Sequence, residues 1–330
     1  MEKQHIVVMG GGTGTHTLLR GLKRYKKRLA IAAIVTMADS GGSTGRLRDE
    51  FGQLPVGDVR MALAALASDI DEHEELVRQL FLYRFDKGDG LCGHNFGNLL
   101  LVALTDILGS EEAAIRAAAR VLRVGGSVVP VTTERVDLVA TYDDGVTVIG
   151  EHEIDEPPRE RAASRIVALA TTPNATISDA AEKAILDADL IVLGPGDLYT
   201  SILANCVIEG VPEALRHSTG KLVFVANLMT RLGQTTGFGV AEMVGELERY
   251  IKRPLDHVLY NSTPLPADLL ARYEVDGELP VLHNAVNDVR VIAADLLAAE
   301  EVVRVKGDVL KRSLIRHDSR KLARQVIELL

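Results

Sequence analysis

Four apolar runs in this chain each end in a loop rich in glycine or hydroxyl residues. IVVM leads into GGGTGT (10–15), and LAIAAIVTM leads into ADSGGSTGR (38–46). DLIVL leads into GPGDLYTS (194–201), and KLVFVA leads into NLMTRLGQTTG (227–237). Runs this short and β-branched read as strands buried on both faces. After the first, Leu18, Leu19 and Leu22 recur at helical spacing and a basic end follows, Lys23 to Arg28, which complements a helix dipole. Strand, glycine turn, helix, strand is the opening of a parallel α/β sheet. Strand ends in such a sheet share one edge, so the four loops should line one rim.

One glycine loop does no more than permit a tight turn. Four on one edge make a row of backbone N–H groups backed by helix N-termini, a cleft suited to an anionic ligand. The candidate ligand residues are Gly11, Gly12, Thr13 and Gly14; Asp39, Ser40, Gly41, Gly42 and Ser43; Gly194, Gly196, Asp197, Thr200 and Ser201; and Asn227. The familiar nucleotide signatures fit poorly. GxGxxG starting at Gly10 requires glycine at position 15, where Thr15 stands. Asp39 sits at the end of the second strand, the place of a ribose-binding acid, but somewhat late in sequence. No GxxxxGK[ST] occurs. The anionic ligand survives this test better than NAD or ATP does.

Residues 58–85 and 97–124 read as helical, and between them lies DKGDGLCGHNFGN (86–98). That stretch carries His94, Asn95 and Asn98 and reads as a functional loop. Residues 127–153 change character: VDLVATY, DDG and VTVIGEHE suggest an antiparallel hairpin insertion with an Asp-Gly turn. The strand–helix rhythm then resumes with RIVALA (165–170), a helix capped by Ser178, and strands at 189–196, 221–229 and 256–262. LARQVIELL (322–330) closes the chain as an amphipathic helix. The expectation is a single α/β domain over 1–330, a mostly parallel sheet with helices on both faces and the small insertion.

Asp39 and Asp58 are candidate metal ligands as a carboxylate pair, magnesium being the natural ion. From the residues alone Asp58 reads better as a helix cap, an acid favoured by the dipole at a helix N-terminus. His94 could orient a phosphate or bond the backbone of its own loop. Cys92 reads as inert packing. Aromatics are 4% with no Trp, and the net charge is −9, which argue against a nucleic-acid partner. An anionic ligand must therefore be held by local donors. Two distant cysteines fit a reducing compartment. With no signal-like N-terminus and no 18-residue apolar run, the expectation is a cytoplasmic protein without membrane insertion.

Several longer segments carry a resemblance. MGGGTGTHTLLRGLK, VTMADSGGSTGRLRDEFGQLPVGDVRMAL, CGHNFGNLLL, GPGDLYTSILANCVIEGV, VANLMTRLGQTTGF and LIRHDSRKLA look like the gluconeogenesis factor family, the YvcK type of the CofD-like superfamily. The likeness covers nearly the whole chain in order. It implies a Rossmann-like fold and a protein that binds UDP-sugars, notably UDP-N-acetylglucosamine. It also implies regulation of cell shape and cell-wall precursor supply, with regulatory protein partners and a homo-oligomer in view. By motif, Tyr273 and Arg316 match nucleotide-sugar-binding positions, and Ser319 matches a phosphorylatable Thr of relatives. The other branch, 2-phospho-L-lactate transferase, is metal-dependent and carries an acidic pair where this chain has Asp39 followed by Ser40. Three functions stay open, in this order: nucleotide-sugar-binding regulator, phospholactyl-type transferase and dinucleotide-dependent oxidoreductase.

Overall fold

Ile6, Val7, Val8 and Met9 are almost wholly buried, as an apolar run at the centre of a parallel sheet must be. The computed structural model describes residues 2–161, 163–299 and 314–330. Its strands are β1 (Gln4–Gly10), β2 (Leu29–Val35), β3 (Ser127–Pro130), β4 (Asp137–Tyr142), β5 (Thr147–Ile149), β6 (Ile166–Thr172), β7 (Leu190–Leu193), β8 (Lys221–Val225), β9 (His257–Asn261) and β10 (Val291–Ala294). Seven form one sheet in the order β10-β9-β8-β7-β1-β2-β3, and every pairing is parallel. The fold is α/β, with helices packed on the sheet.

The chain enters at β1, winds outward through β2 and β3, then returns to the other side of β1 with β7 and continues to β10. The winding reverses between β1 and β7, where loops diverge and open a crevice. The four glycine loops follow β1, β2, β7 and β8, which are contiguous in the sheet. They therefore share one rim, as their sequence pattern requires.

The insertion differs from its expected bounds. Residues 127–130 pair with β2 as the edge of the main sheet. The separate sheet has three strands, β5-β4-β6, with β4 antiparallel to both neighbours. RIVALA thus belongs to the insertion and not to the parallel sheet. Burial shows the reason: Ile166 and Leu169 face the core while Val167 is 47% exposed, so the segment is covered on one face only. The two long helical stretches are each divided. Gly57–Leu66 is separated from Glu72–Leu82, whose N-cap Asp71 accepts from the Glu74 amide. Phe96–Leu108 ends at Gly109, and Ser110 caps Glu111–Val121.

The final helix, Ser319–Ile327, buries Leu322, Ala323 and Val326. It lies against the first helix, Gly12–Leu22, so tightly that a Cβ at Gly21 would overlap the Ser319 carbonyl. Ser319, the candidate modification position, is the first residue of that helix, after the N-cap Asp318. No helix among the described residues is long and apolar enough to cross a membrane.

Candidate functional site

The first loop is shaped by close approach. A Cβ on Gly14 would overlap the Pro195 carbonyl, so glycine lets the β1 and β7 loops touch. Gly12 adopts φ +62 and donates its N–H to Asp58 Oδ1 at 2.7 Å. Asp58 lies in the first turn of its helix, as an acid should, yet its bond crosses to another element. Asp39 performs the matching task in the second loop, accepting the Gly41 N–H at 2.9 Å. The two acids clasp the two loops that begin the helices Gly12–Leu22 and Gly42–Phe51. The first amides of a helix have no intrahelical partner. With Gly12 engaged by Asp58, Thr13 and Gly14 carry the remaining first-turn amides, and both residues line the cavity between the loops.

Ser43 Oγ lies 3.2 Å from His94 Nδ1 and accepts from the Asn95 amide and Asn98 Nδ2, each at 3.3 Å. Burial, and then Arg46, hold the His94 pKa below its usual value. The ring is neutral, so Ser43 O–H donates to it. His94 is therefore a support of the second loop and not a phosphate cation. Asn95 caps Phe96–Leu108, accepting from Gly97 and Asn98 amides. Cys92, expected to pack inside, is exposed.

These loops surround a cavity of about 380 Å³, within the range of small-ligand sites. Of the sequence candidates, Gly11, Gly12, Thr13, Gly14, Asp39, Gly41, Gly42, Ser43, Asp58, Asn98, Gly196, Asp197, Thr200, Ser201, Asn227, Tyr273 and Arg316 line it. Ser40, His94, Asn95 and Gly194 do not. Ser40 Oγ instead accepts the His152 amide at 3.0 Å, fastening the insertion to the second loop. Through that clasp the short helix Glu151–Asp155 becomes a wall of the cavity. The third loop turns into a π-helix, Leu198–Leu203, where Ile202 N–H reaches the Asp197 carbonyl. Such wide turns recur at functional sites.

Charge is divided within the cavity. Burial, then Asp39, raises the Asp58 carboxyl to about 7. Burial raises Asp39 as well, and burial with Asp39, Asp155 and Asp58 raises Glu151 well above its usual range. Arg46, Arg60, Arg84, Arg231 and Arg316 line the same space. Arg231 is the hub of the opposite wall. Its guanidinium bonds Asp155 Oδ2 at 2.8 Å and Glu278 Oε1 at 3.2 Å, tying the insertion to the end of the helix Ala267–Val275. Asp197, beside this network, is raised to about 6 by burial and by Asp155.

The C-terminal tail completes the rim. Tyr273 Oη accepts the amides of Leu314 and Ile315, at 2.7 and 3.2 Å. His317 and Leu297 pair in a short antiparallel contact, in which the Arg316 carbonyl accepts from the Ala298 amide at 3.0 Å. Tyr273 therefore holds the tail through its hydroxyl and offers its ring to the cavity. Glu151, His152, Asp155, Arg231 and His317 also line the site. Sequence reasoning missed them because none stands in a glycine-rich loop end, except Arg231, which lay inside the fourth loop unremarked.

The family model described as 2-phospho-L-lactate transferase CofD matches residues 6–297. A crystal structure of a Bacillus halodurans protein superposes with a TM-score of 0.87 at 34% identity, covering 99% of this chain and 100% of that one. The gluconeogenesis factor of Bacillus subtilis is 39% identical over 332 residues, 100% of this chain and 99% of the relative. The chain belongs to the gluconeogenesis factor family. A gluconeogenesis-factor relative from Thermotoga maritima is 42% identical over 323 residues, 98% of each chain. The family match spans both the glycine loops and the insertion, so the cavity is built from segments shared with these relatives.

Proposed function

We propose that this member of the gluconeogenesis factor family binds a nucleoside-diphosphate sugar of the UDP-N-acetylglucosamine type in the cavity, and that it acts as a cytoplasmic regulator of cell shape and cell-wall precursor supply. One observation carries the ligand class. Two helix N-termini, at Gly12 and Gly42, open on a space that Arg316 and Tyr273 close from the far end of the chain. Helix-terminal amides and an arginine suit a diphosphate, and the remaining length suits a nucleoside and a sugar. The regulatory reading rests on the two acids. Asp39 and Asp58 each bond a loop amide, so each has a structural task that needs no turnover.

The same pair favours a second reading in one respect. Asp58 has an oxygen beyond the one bonded to an amide, Asp39 is bonded by the Thr44 hydroxyl besides the Gly41 amide, and both acids are raised by burial. A magnesium ion entering with a diphosphate would be held by Asp39 and Asp58, and it would neutralise charge at the phosphates. Among the described residues no cluster of three or more His, Cys, Asp or Glu has metal-holding geometry, so phosphate oxygens and water would complete the shell. The test is calorimetric titration with UDP-N-acetylglucosamine, UDP-glucose, NAD and GDP, with and without magnesium. Selective binding of the UDP-sugars is expected. Preference for NAD, or no binding of any of the four, refutes the proposal. Phospholactyl transfer to a deazaflavin, lost in Asp39→Asn, would install the transferase reading instead.

A further inference from the structure

Two buried acceptors on the β8 side of the cavity have no hydrogen-bond partner among the described residues. His317 is 8% exposed and its Nε2 makes no hydrogen bond. The ring does bond the Ala226 carbonyl, which leaves Nδ1 as the donating nitrogen and Nε2 as a bare lone pair. Burial holds the His317 pKa down to about 4, so the ring is neutral at physiological pH. The next residue after Ala226 supplies the second acceptor. Asn227 donates Nδ2 to the Gly196 carbonyl at 2.9 Å, which fixes its amide and leaves Oδ1 buried without a partner. Both residues line the cavity. Buried polar atoms are nearly always paired, so two such acceptors lining one cavity, on residues tied together through Ala226, mark groups whose partner comes from the ligand.

We infer that Asn227 Oδ1 and His317 Nε2 together accept the two hydroxyls of a vicinal diol on the bound ligand. This rests on the nucleotide-sugar reading and refines it. Neither atom can donate to a phosphate: one is a carbonyl oxygen, the other an unprotonated nitrogen. They require hydrogen-bond donors, and adjacent hydroxyls are the donors a nucleotide sugar offers in pairs. The surroundings reinforce the demand. Leu228 and Ile315, from a small apolar cluster with Tyr273 and Leu297, line the same cavity. In that setting an unmatched acceptor keeps its full desolvation cost. The diol site is also held at a fixed remove from the phosphate site, because Asn227 grips Gly196 in the loop that touches Gly14.

A nucleotide sugar carries vicinal hydroxyls on its ribose and on its hexose, and titration separates the two. Wild type is titrated with UDP-N-acetylglucosamine, with its 2′-deoxy and 3′-deoxy uridine counterparts, and with counterparts lacking the hexose 3- or 4-hydroxyl. One arm is expected to bind about ten-fold more weakly, the loss of one hydrogen bond to a buried acceptor. His317→Phe keeps a planar ring and removes the acceptor together with the bond to Ala226, so it is compared with wild type after equal melting behaviour is confirmed. It should lower affinity for the complete ligand to that of the deoxy compound lacking the hydroxyl that meets Nε2, leave that compound unchanged and weaken the other. Wild-type affinity that ignores all of these hydroxyls overturns the inference without any variant. A His317→Phe protein that weakens the complete ligand and both deoxy compounds of that arm equally also overturns it. If no nucleotide sugar binds at all, both the inference and the reading beneath it fail; tight binding indifferent to the hydroxyls removes the inference alone.

Discussion

Replacing Asp58 with asparagine should stabilise this protein at neutral and alkaline pH while leaving it little changed near pH 4. In the unfolded chain the carboxyl ionises near 3.8; in the fold, burial and then Asp39 raise it to about 7. A carboxyl raised on folding keeps its proton in the native state over that window while the unfolded state has lost it. The native state then binds more protons, so stability falls as pH rises from about 4 to about 7. Each pH unit in the window costs about 1.4 kcal/mol, an upper limit of about 4 kcal/mol above pH 7. Partial hydration and the nearby Arg60 reduce this, and about 1–2 kcal/mol is the effect to expect in measurement. Asparagine preserves the shape and keeps an oxygen for the Gly12 amide. Thermal midpoints of wild type and Asp58→Asn, read every half unit from pH 4 to pH 9, give the comparison. The two curves should coincide at the acid end and separate towards pH 7, with the variant higher by a few degrees. Parallel curves, or a variant less stable at pH 8, would refute the placement of a charged, repelled carboxylate at this site.

Gly12→Val forces a side chain onto φ +62, where there is open space and not a clash, so the fold should lose about 1–2 kcal/mol. The valine would project into the cavity, and calorimetry should show UDP-sugar binding falling far more than the melting temperature. Arg231→Met removes the cation between Asp155 and Glu278 and should cost about 3–5 kcal/mol in denaturant unfolding. Arg316→Ala should weaken UDP-sugar binding by about 1.5–3 kcal/mol, with Arg316→Lys recovering part of it, since an ammonium lacks the planar fork. Equal affinity of wild type and Arg316→Ala in side-by-side titrations would return the tail to a purely structural role.

The sheet was largely legible because its signal is local. IVVM, LAIAAIV and KLVFV could only be buried strands, and a glycine loop at each end fixed which edge would gather them. Ser178 capped its helix as its position promised, accepting from the Ala181 amide. RIVALA misled because an apolar run does not state whether one face or both will be covered. Only the partner β4, antiparallel to it, decides that. The cavity was legible on its glycine side and opaque elsewhere. Glu151 and His152 enter it because Ser40, 112 positions away from His152, catches the insertion's helix. His94 offers the opposite lesson. It lies in a glycine-rich loop beside two asparagines, yet its ring is spent on Ser43. Which nitrogen, oxygen or hydroxyl is already engaged is a property of contacts far apart in sequence, and composition does not carry it.

The acid clasp sets a condition on any anionic ligand. Asp58 and Asp39 hold the loops that would receive phosphates, so a diphosphate at the Thr13 and Gly14 amides would sit close to both carboxyls and to Glu151. Three acids already raised by burial, Asp58 and Glu151 by Asp39 as well, cannot take up more negative charge unaltered. Two ways of relieving the charge are open: protons bound by the acids, or a divalent cation bound between acids and phosphates. They have opposite signs in solution. With Asp58 near 7, ligand entry alone would raise it further and draw protons from buffer at neutral pH. Entry with magnesium would lower it and release them. The proton count on binding, obtained from heats in buffers of different ionisation enthalpy, therefore separates a bare nucleotide-sugar sensor from a metal-assisted site. The clasp that shapes the loops makes ligand binding inseparable from the charge state of Asp39, Asp58 and Glu151.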